Sequence, residues 1–246
     1  MSEVALLVAS YDGASDLWPL VLDRFSIHKN ECFSSLYILT NNIEVKNEDW
    51  INIRTGDDKG FSANLIRALD GVKEEYVVVW VDDLILTGPI NHELFLSIVS
   101  HTLENNIKYV NIWNNYPHSY ADNTNLEIGP LPQDIKYRIG MGIGLWDKQF
   151  LKELLKNEEN AWHFERNAQT RVSENDKEKI YAVKRDCRPF KVHNTLIKGR
   201  VNWFSKKKVG FQNPIRRSYI SIFDYTYIQL YRLRLKVFIY FKYHWR

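Results

Sequence analysis

Cysteine is scarce. Cys32 and Cys187 are the only two in 246 residues, far apart and in no Cys-x-x-Cys or Cys/His spacing, which argues against a disulfide framework and a structural zinc site. A reducing cytoplasm is the expected compartment. Long apolar runs are missing as well: no stretch approaches the ~20 uninterrupted apolar residues of a membrane-spanning helix. The opening "MSEVALLVASYDG" carries an acid and only a short apolar run, unlike a signal peptide.

What is present is a globular composition with uneven charge. Hydrophobic residues make up 45% and aromatics 14%, enough for a sizeable core in one large domain or two small ones. The net charge of +3 conceals an asymmetry: residues 198–246 carry 12 Lys or Arg and one acid, Asp224, while the chain before them carries 21 bases and 29 acids. An acidic body is thus followed by a basic tail.

Apolar runs of strand length alternate with helical periodicity. "VALLVAS" reads as a strand, "YDGASD" as a turn and "LWPLVLDRFSIH" as a helix. "SSLYILTNN" is a second strand and loop, and "FSANLIRALDGV" a helix ahead of the strand "EYVVVWV". Further on, "NHELFLSIVSHTLENN" reads as a helix and "KYVNIW" as a strand. A long polar loop over 114–134 comes next, then the strand-like "YRIGMGIGLW" and one helix over "DKQFLKELLKNEENAW". Such alternation predicts a mostly parallel sheet with helices on both faces. The expected division is a body over 1–204 and an associating segment over 205–246.

In open parallel sheets ligands bind beyond the carboxyl ends of the strands, and the polar clusters fall there. Strand one ends at Ser10, Tyr11 and Asp12, strand two at Thr40, Asn41 and Asn42, and "VVVWV" at Asp82 and Asp83. Paired carboxylates suit a hard divalent cation, and Mg²⁺ characteristically uses one or two of them plus substrate phosphates. The plainer alternative has one aspartate capping a helix and the other solvated. "TGDDKGFSANLIRAL" is a loop opening directly into a helix, a possible anion site or a plain helix entry capped by Ser62. Its spacing fits neither GxxxxGK[ST] nor GxGxxG, which argues against a P-loop ATPase and a dinucleotide-binding dehydrogenase.

Taken in order, "SYDGASD", "LTNN", "GDDKGFSANLIRAL" and "EEYVVVWVDD" resemble the GT-A glycosyltransferases, nucleotide-sugar enzymes on a Rossmann-like sheet, and in particular their family-2-like bacterial polysaccharide branch of O-antigen and capsule enzymes. The resemblance covers residues 4–200 and is most specific over 55–86. It implies that Asp83 and Asp82 hold the Mg²⁺ or Mn²⁺ bridging a donor diphosphate. Ser10, Asp12, Asn41, Asp58 and Asn64 would lie around the nucleotide, with Lys59 approaching the phosphates. Leu84 stands where the family often has a further Asp, which bears on metal dependence.

The same resemblance points to "W-x-x-E" within "ENAWHFERNAQTR", making Glu165 the catalytic base that takes the acceptor hydroxyl's proton. Desolvation near aromatics raises a carboxyl pKa toward such a task. The alternatives are a surface Glu165 paired with Arg166 or Arg171, or a base at Asp134 or Asp147. Trp146 and Trp162 are each as readily core as sugar-stacking residues. His193 falls where GT-A enzymes place a late histidine on metal or diphosphate, and Lys198 with Arg200 would neutralise the leaving nucleotide.

The tail "RRSYISIFDYTYIQLYRLRLKVFIYFKYHWR" interleaves bases with aromatic and aliphatic residues, as in a helix lying in a membrane interface. Docking on the body or a partner subunit competes with that reading. Nucleic-acid binding does not fit an acidic body without a recognised module. The expectation is therefore an inverting, metal-assisted, hexosyltransferase-type enzyme, peripheral at the inner face of the cell membrane. It would move a sugar from a nucleotide-diphosphate donor to a lipid-linked glycan during lipopolysaccharide or capsule synthesis. A sugar nucleotidyltransferase and a non-catalytic carbohydrate-binding scaffold are the alternatives.

Overall fold

A computed structural model describes residues 4–28, 32–113, 128–135, 137–184, 187–197, 199–202, 204–209 and 217–244. The main strands are β1 (Val4–Ala9), β2 (Leu36–Thr40), β3 (Ile51–Arg54), β4 (Tyr76–Val81), β6 (Tyr109–Asn111), β7 (Ile128–Pro130), β8 (Ile143–Asp147) and β9 (Ile180–Val183). They form one sheet in the order β3-β2-β1-β4-β8-β6-β9-β7. β3, β2, β1 and β4 run parallel, and β8 enters antiparallel between β4 and β6. Two small antiparallel pairs lie outside it: β5 (Leu84–Leu86) with β10 (Val192–Asn194), and β11 (Leu196–Ile197) with β12 (Arg200–Val201).

Both faces of the central strands are apolar because both are covered. In β1 the residues Val4, Leu6 and Val8 face one core, shared with Val21 and Phe25 of α1 (Trp18–His28) and Phe95 and Ile98 of α3 (His92–Glu104). Ala5, Leu7 and Ala9 face the other, shared with Leu65, Ala68 and Leu69 of α2 (Phe61–Gly71), Phe150 and Leu154 of α4 (Lys148–Leu154), and Phe164 of α5 (Ala161–Asn167). The α/β architecture expected from the alternation is the one observed.

Three local readings are corrected. The single helix expected over 147–162 is two, because Leu155 turns out of α4 into extended backbone (φ −72°, ψ 142°) and buries its side chain, while Asn160 starts α5 by accepting from the His163 amide. The strand expected over 137–146 begins only at Ile143. Before it, the Tyr109 hydroxyl donates to the Gly140 carbonyl (2.9 Å) and accepts from its amide (3.1 Å), so these groups do not enter the ladder. The long loop over 114–134 lies outside the described residues as far as 127, and its end contributes β7.

β4 is the rigid centre, and one of its side chains shapes the turn beyond it. Trp80 is fully buried, edge-on to Phe25 (4.9 Å) and Phe190 (5.3 Å). Its indole Nε1 donates to the Leu84 carbonyl at 2.5 Å. From the other side, the Thr195 amide donates to the Asp83 carbonyl at 2.8 Å. The turn at Asp82 and Asp83 is therefore pinned at both flanks by buried hydrogen bonds, the kind that is costly to leave unmade.

Beyond the sheet come α6 (Ser205–Val209) and α7 (Ile222–His244). Val209 belongs to the core, and Ile220, two residues before α7, is buried. From there Ile222, Phe223, Tyr227, Leu230, Tyr231 and Leu233 are all exposed. No helix among the described residues is long and apolar enough to cross a membrane.

Candidate active site

Parallel neighbours end together, so the carboxyl ends of β1, β2 and β4 form one edge, and hydrogen bonds tie it up. Ser10 Oγ, at the end of β1, donates to Asp82 Oδ2 at 2.6 Å and accepts from Trp18 Nε1 at 2.7 Å. Asp12 accepts from the backbone amides of Asn41 (2.9 Å) and Asn42 (2.9 Å), while Asn41 Oδ1 accepts from the Asp12 amide (3.1 Å). These reciprocal bonds lock the loop after β1 to the loop after β2.

The loop before α2 is organised in the same way. Gly60, at the helix entry, has φ 91°, a conformation only glycine adopts without strain. Asp58 Oδ1 accepts from the Gly60 amide (2.9 Å) and from Asn64 Nδ2 (2.7 Å), and Asn64 Oδ1 accepts from the Lys59 amide (3.2 Å). Asp12, Asn41, Asp58 and Asn64 thus commit polar atoms to loop shape, whereas the Lys59 side chain is exposed.

Asp82 and Asp83 are half-buried. Burial chiefly, with the neighbouring Asp83 adding to it against the Ser10 hydrogen bond, pushes the Asp82 carboxyl up to about 7. Burial likewise pushes Asp83 up to about 6, opposed by its own backbone amide and by Arg217. Both carboxyls thus ionise at a higher pH than a solvated aspartate does. No cluster of three or more His, Cys, Asp or Glu suited to a metal occurs among the described residues.

Glu165 reaches the same edge from α5. Its Oε1 accepts from the Met141 amide at 2.8 Å, and the next residue, Gly142, accepts from the Val81 amide at the end of β4. Burial raises its pKa, partly offset by the Met141 bond. Arg171 does not pair with Glu165 but takes Glu159 in a two-pronged bond (2.7 and 2.9 Å). Asp147 is removed from the edge: it pairs with Lys108 at 2.5 Å, caps α4, and lies opposite Tyr76 at the start of β4. Trp146 is core, stacked on Tyr109 at 3.9 Å. Trp162, three residues before Glu165, is 76% exposed.

His193 stands opposite Ile85, its Nε2 lies 3.0 Å from Ser205 Oγ, and burial followed by Lys208 lowers its pKa. Lys198 lies outside the described residues. Sequence reasoning missed Asp16 and Arg217, which form an ion pair at the rim (3.1 Å). Their partnership spans 201 positions, and Arg217 falls within a basic tail whose composition pointed elsewhere.

The sequence matches no family model and no curated protein. Among solved structures, a mannosyltransferase from Pyrobaculum calidifontis in complex with GDP-mannose and Mn²⁺ superimposes with a TM-score of 0.52 at 11% identity, over 80% of this chain and 58% of that one. The chain thus spans little more than half that protein's length. A Drosophila β-1,4-galactosyltransferase 7 complex aligns over 91% and 84% at 12% identity and TM-score 0.49. A UTP-bound UGPase from Acinetobacter baumannii aligns over 79% and 88% at 10% and 0.48. The fold is GT-A-like, a mixed and mostly parallel sheet between helical layers.

The raised carboxyls make stability depend on pH in a stated direction. Asp82 and Asp83 titrate higher in the folded than in the unfolded chain, so the folded protein keeps protons that the unfolded chain has released between about pH 4 and pH 7. Stability of metal-free protein should fall as pH rises through that window. Asp82→Asn should flatten the fall, gaining on the order of 2 kcal/mol over wild type at pH 8 and nothing at pH 4. Urea midpoints at the two pH values check this, and an equal difference at both would contradict it.

Proposed function

We propose that this chain is a nucleotide-sugar glycosyltransferase. One arrangement carries the reading: Asp82 and Asp83, held on a rigid turn at the carboxyl end of β4, with Glu165 anchored over the same edge through Met141. The GT-A-like fold supports it, as does the nucleotide sugar and Mn²⁺ bound by the mannosyltransferase that shares this fold.

In this reading Asp83 and Asp82 would hold Mn²⁺ or Mg²⁺, which when bound supplies charge neutralisation for a diphosphate. The loops fixed by Asp12 and Asp58 form the wall beside the nucleotide. Glu165, whose burial lifts its pKa toward neutrality, is the general base. It removes the acceptor hydroxyl's proton as that oxygen bonds to the anomeric carbon. The bond from that carbon to the diphosphate breaks, and the electron pair leaves with the diphosphate oxygen. Attack from the face opposite the leaving group inverts the configuration. Exposed Trp162, on the helix that bears Glu165, offers a flat apolar surface for an acceptor sugar.

The finer reading adds a lipid-linked acceptor, as in O-antigen or capsule assembly. Exposed apolar residues of α7, interspersed with the tail's bases, suit the anionic surface of a membrane. The body over 1–204 would then be the catalytic unit and the segment over 205–246 its means of attachment.

Thermal stability measured with UDP, GDP, CDP and dTDP, each with and without Mn²⁺, tests the donor site, because a ligand bound only by the folded state raises the melting temperature. One nucleotide should shift wild type in a metal-dependent way, and Asp83→Ala should abolish the shift. Glu165→Gln should keep the shift and lose turnover by ~10²-fold or more. No shift on folded wild type would sink the reading. For the tail, sedimentation should recover the protein with phosphatidylglycerol vesicles and not with phosphatidylcholine vesicles, and Phe223→Glu with Leu230→Glu should release it. Equal recovery with and without those substitutions would remove the membrane role.

A further inference from the structure

The chain returns to the candidate site just before α7. Residues 218–220 run beside β12: the Val201 amide donates to the Ser218 carbonyl, the Ile220 amide to the Val201 carbonyl, each at 3.0 Å, and Val201 bridges Tyr219 in parallel. This short addition, locked by buried Ile220, fixes Arg217 over the loop after β1.

There the guanidinium is held by only part of its fork. Nε donates to Asp16 Oδ2 at 3.1 Å, and Nη2 donates to Asp16 Oδ1 at 3.1 Å and to the Gly13 carbonyl at 3.0 Å. Nη1 has no acceptor among the described residues. The pair is largely enclosed, with 17% of the arginine side chain and 8% of the aspartate exposed. The groups that feel this charge are Asp16, Tyr11, Asp82 and Asp83, drawn from the loop after β1 and the end of β4. A buried ion pair is a weak source of stability by itself. A planar guanidinium with a spare edge, whose charge reaches Asp82 and Asp83, is instead the side chain suited to recognising a phosphate.

We infer that Arg217 is a phosphate-binding residue of the donor site, delivered by the C-terminal segment and held ready by Asp16 and the Gly13 carbonyl. The inference rests on the proposed glycosyltransferase reading and deepens it. The tail becomes part of the nucleotide site as well as a route to the membrane. Asp16 acts as a positioning residue, because its carboxylate fixes the guanidinium plane without meeting the donor.

The test compares wild type, Arg217→Ala, Arg217→Lys and Asp16→Asn as full chains. Each is titrated with the nucleoside diphosphate, among UDP, GDP, CDP and dTDP, that raises the wild-type melting temperature in the presence of Mn²⁺. Losing a charge-assisted bond to phosphate should raise the half-saturating concentration about tenfold or more in Arg217→Ala. Arg217→Lys, which keeps the charge and loses the fork, should fall between that variant and wild type. It also supplies the answer should the alanine variant not fold. Asp16→Asn removes the ion pair but leaves the guanidinium on the Gly13 carbonyl, and should raise the half-saturating concentration by less than Arg217→Ala does while lowering the nucleotide-free melting temperature. Unchanged affinity in both arginine variants, or equal losses in Arg217→Ala and Asp16→Asn, would reduce Arg217 to a structural staple and overturn the inference. If no nucleotide shifts wild type, the donor-site reading fails first and takes this inference with it.

Discussion

The hydrogen bond from the buried Trp80 indole to the Leu84 carbonyl is the contact on which the candidate site depends. A strand as apolar as Tyr76–Val81 is stable only while both its faces stay covered, and nothing in that requirement dictates where its successor residues point. Trp80 settles it by reaching past the end of β4 and holding the chain on the far side of the aspartates. Phe25 and Phe190 fix the ring, and Thr195 closes the turn from β10's side. The carboxylates are thereby presented by a packed core, with little freedom to withdraw into water.

That placement has an electrostatic cost that the rest of the edge manages. Ser10 gives Asp82 a hydrogen bond, the Asp83 amide serves its own carboxylate, and Arg217 supplies a nearby cation. Burial still outweighs these contributions, and both pKa values stay high. Sites that hold unfavourable charge in the free protein are where a ligand of opposite charge gains most. In the outer loops Asp12 with Asn41, and Asp58 with Asn64, bond to one another and to nearby amides, making a stiff frame around the strand end.

Much of the fold was legible because β1, β2, α2, β4 and α3 each announce themselves over five or more residues of unbroken period. The reversed direction of β8 was not, since strand polarity depends on connections through 114–127, whose polar sequence carries no period. Short strands such as Ile51–Arg54 and Ile180–Val183 gave too few residues for a pattern. At the candidate site, Ser10, Asp82 and Asp83 were readable as strand ends, while Glu165 was singled out only through a resemblance to a known motif. The scaffolding duty of Asp12 and Asn64 was not, because it lies in bonds to backbone amides. Arg217 was invisible for a different reason. Its meaning comes from Asp16, and only the folded chain brings the two together.

The central claim is that the end of β4 holds a metal and a diphosphate. Anomalous diffraction at the manganese edge, from crystals grown with Mn²⁺ and the nucleoside diphosphate that stabilises the protein, tests it most directly. The account predicts one strong peak beside the Asp83 carboxylate with diphosphate oxygens on its other side. A nucleotide bound away from that strand end, or manganese held by other residues, would contradict it.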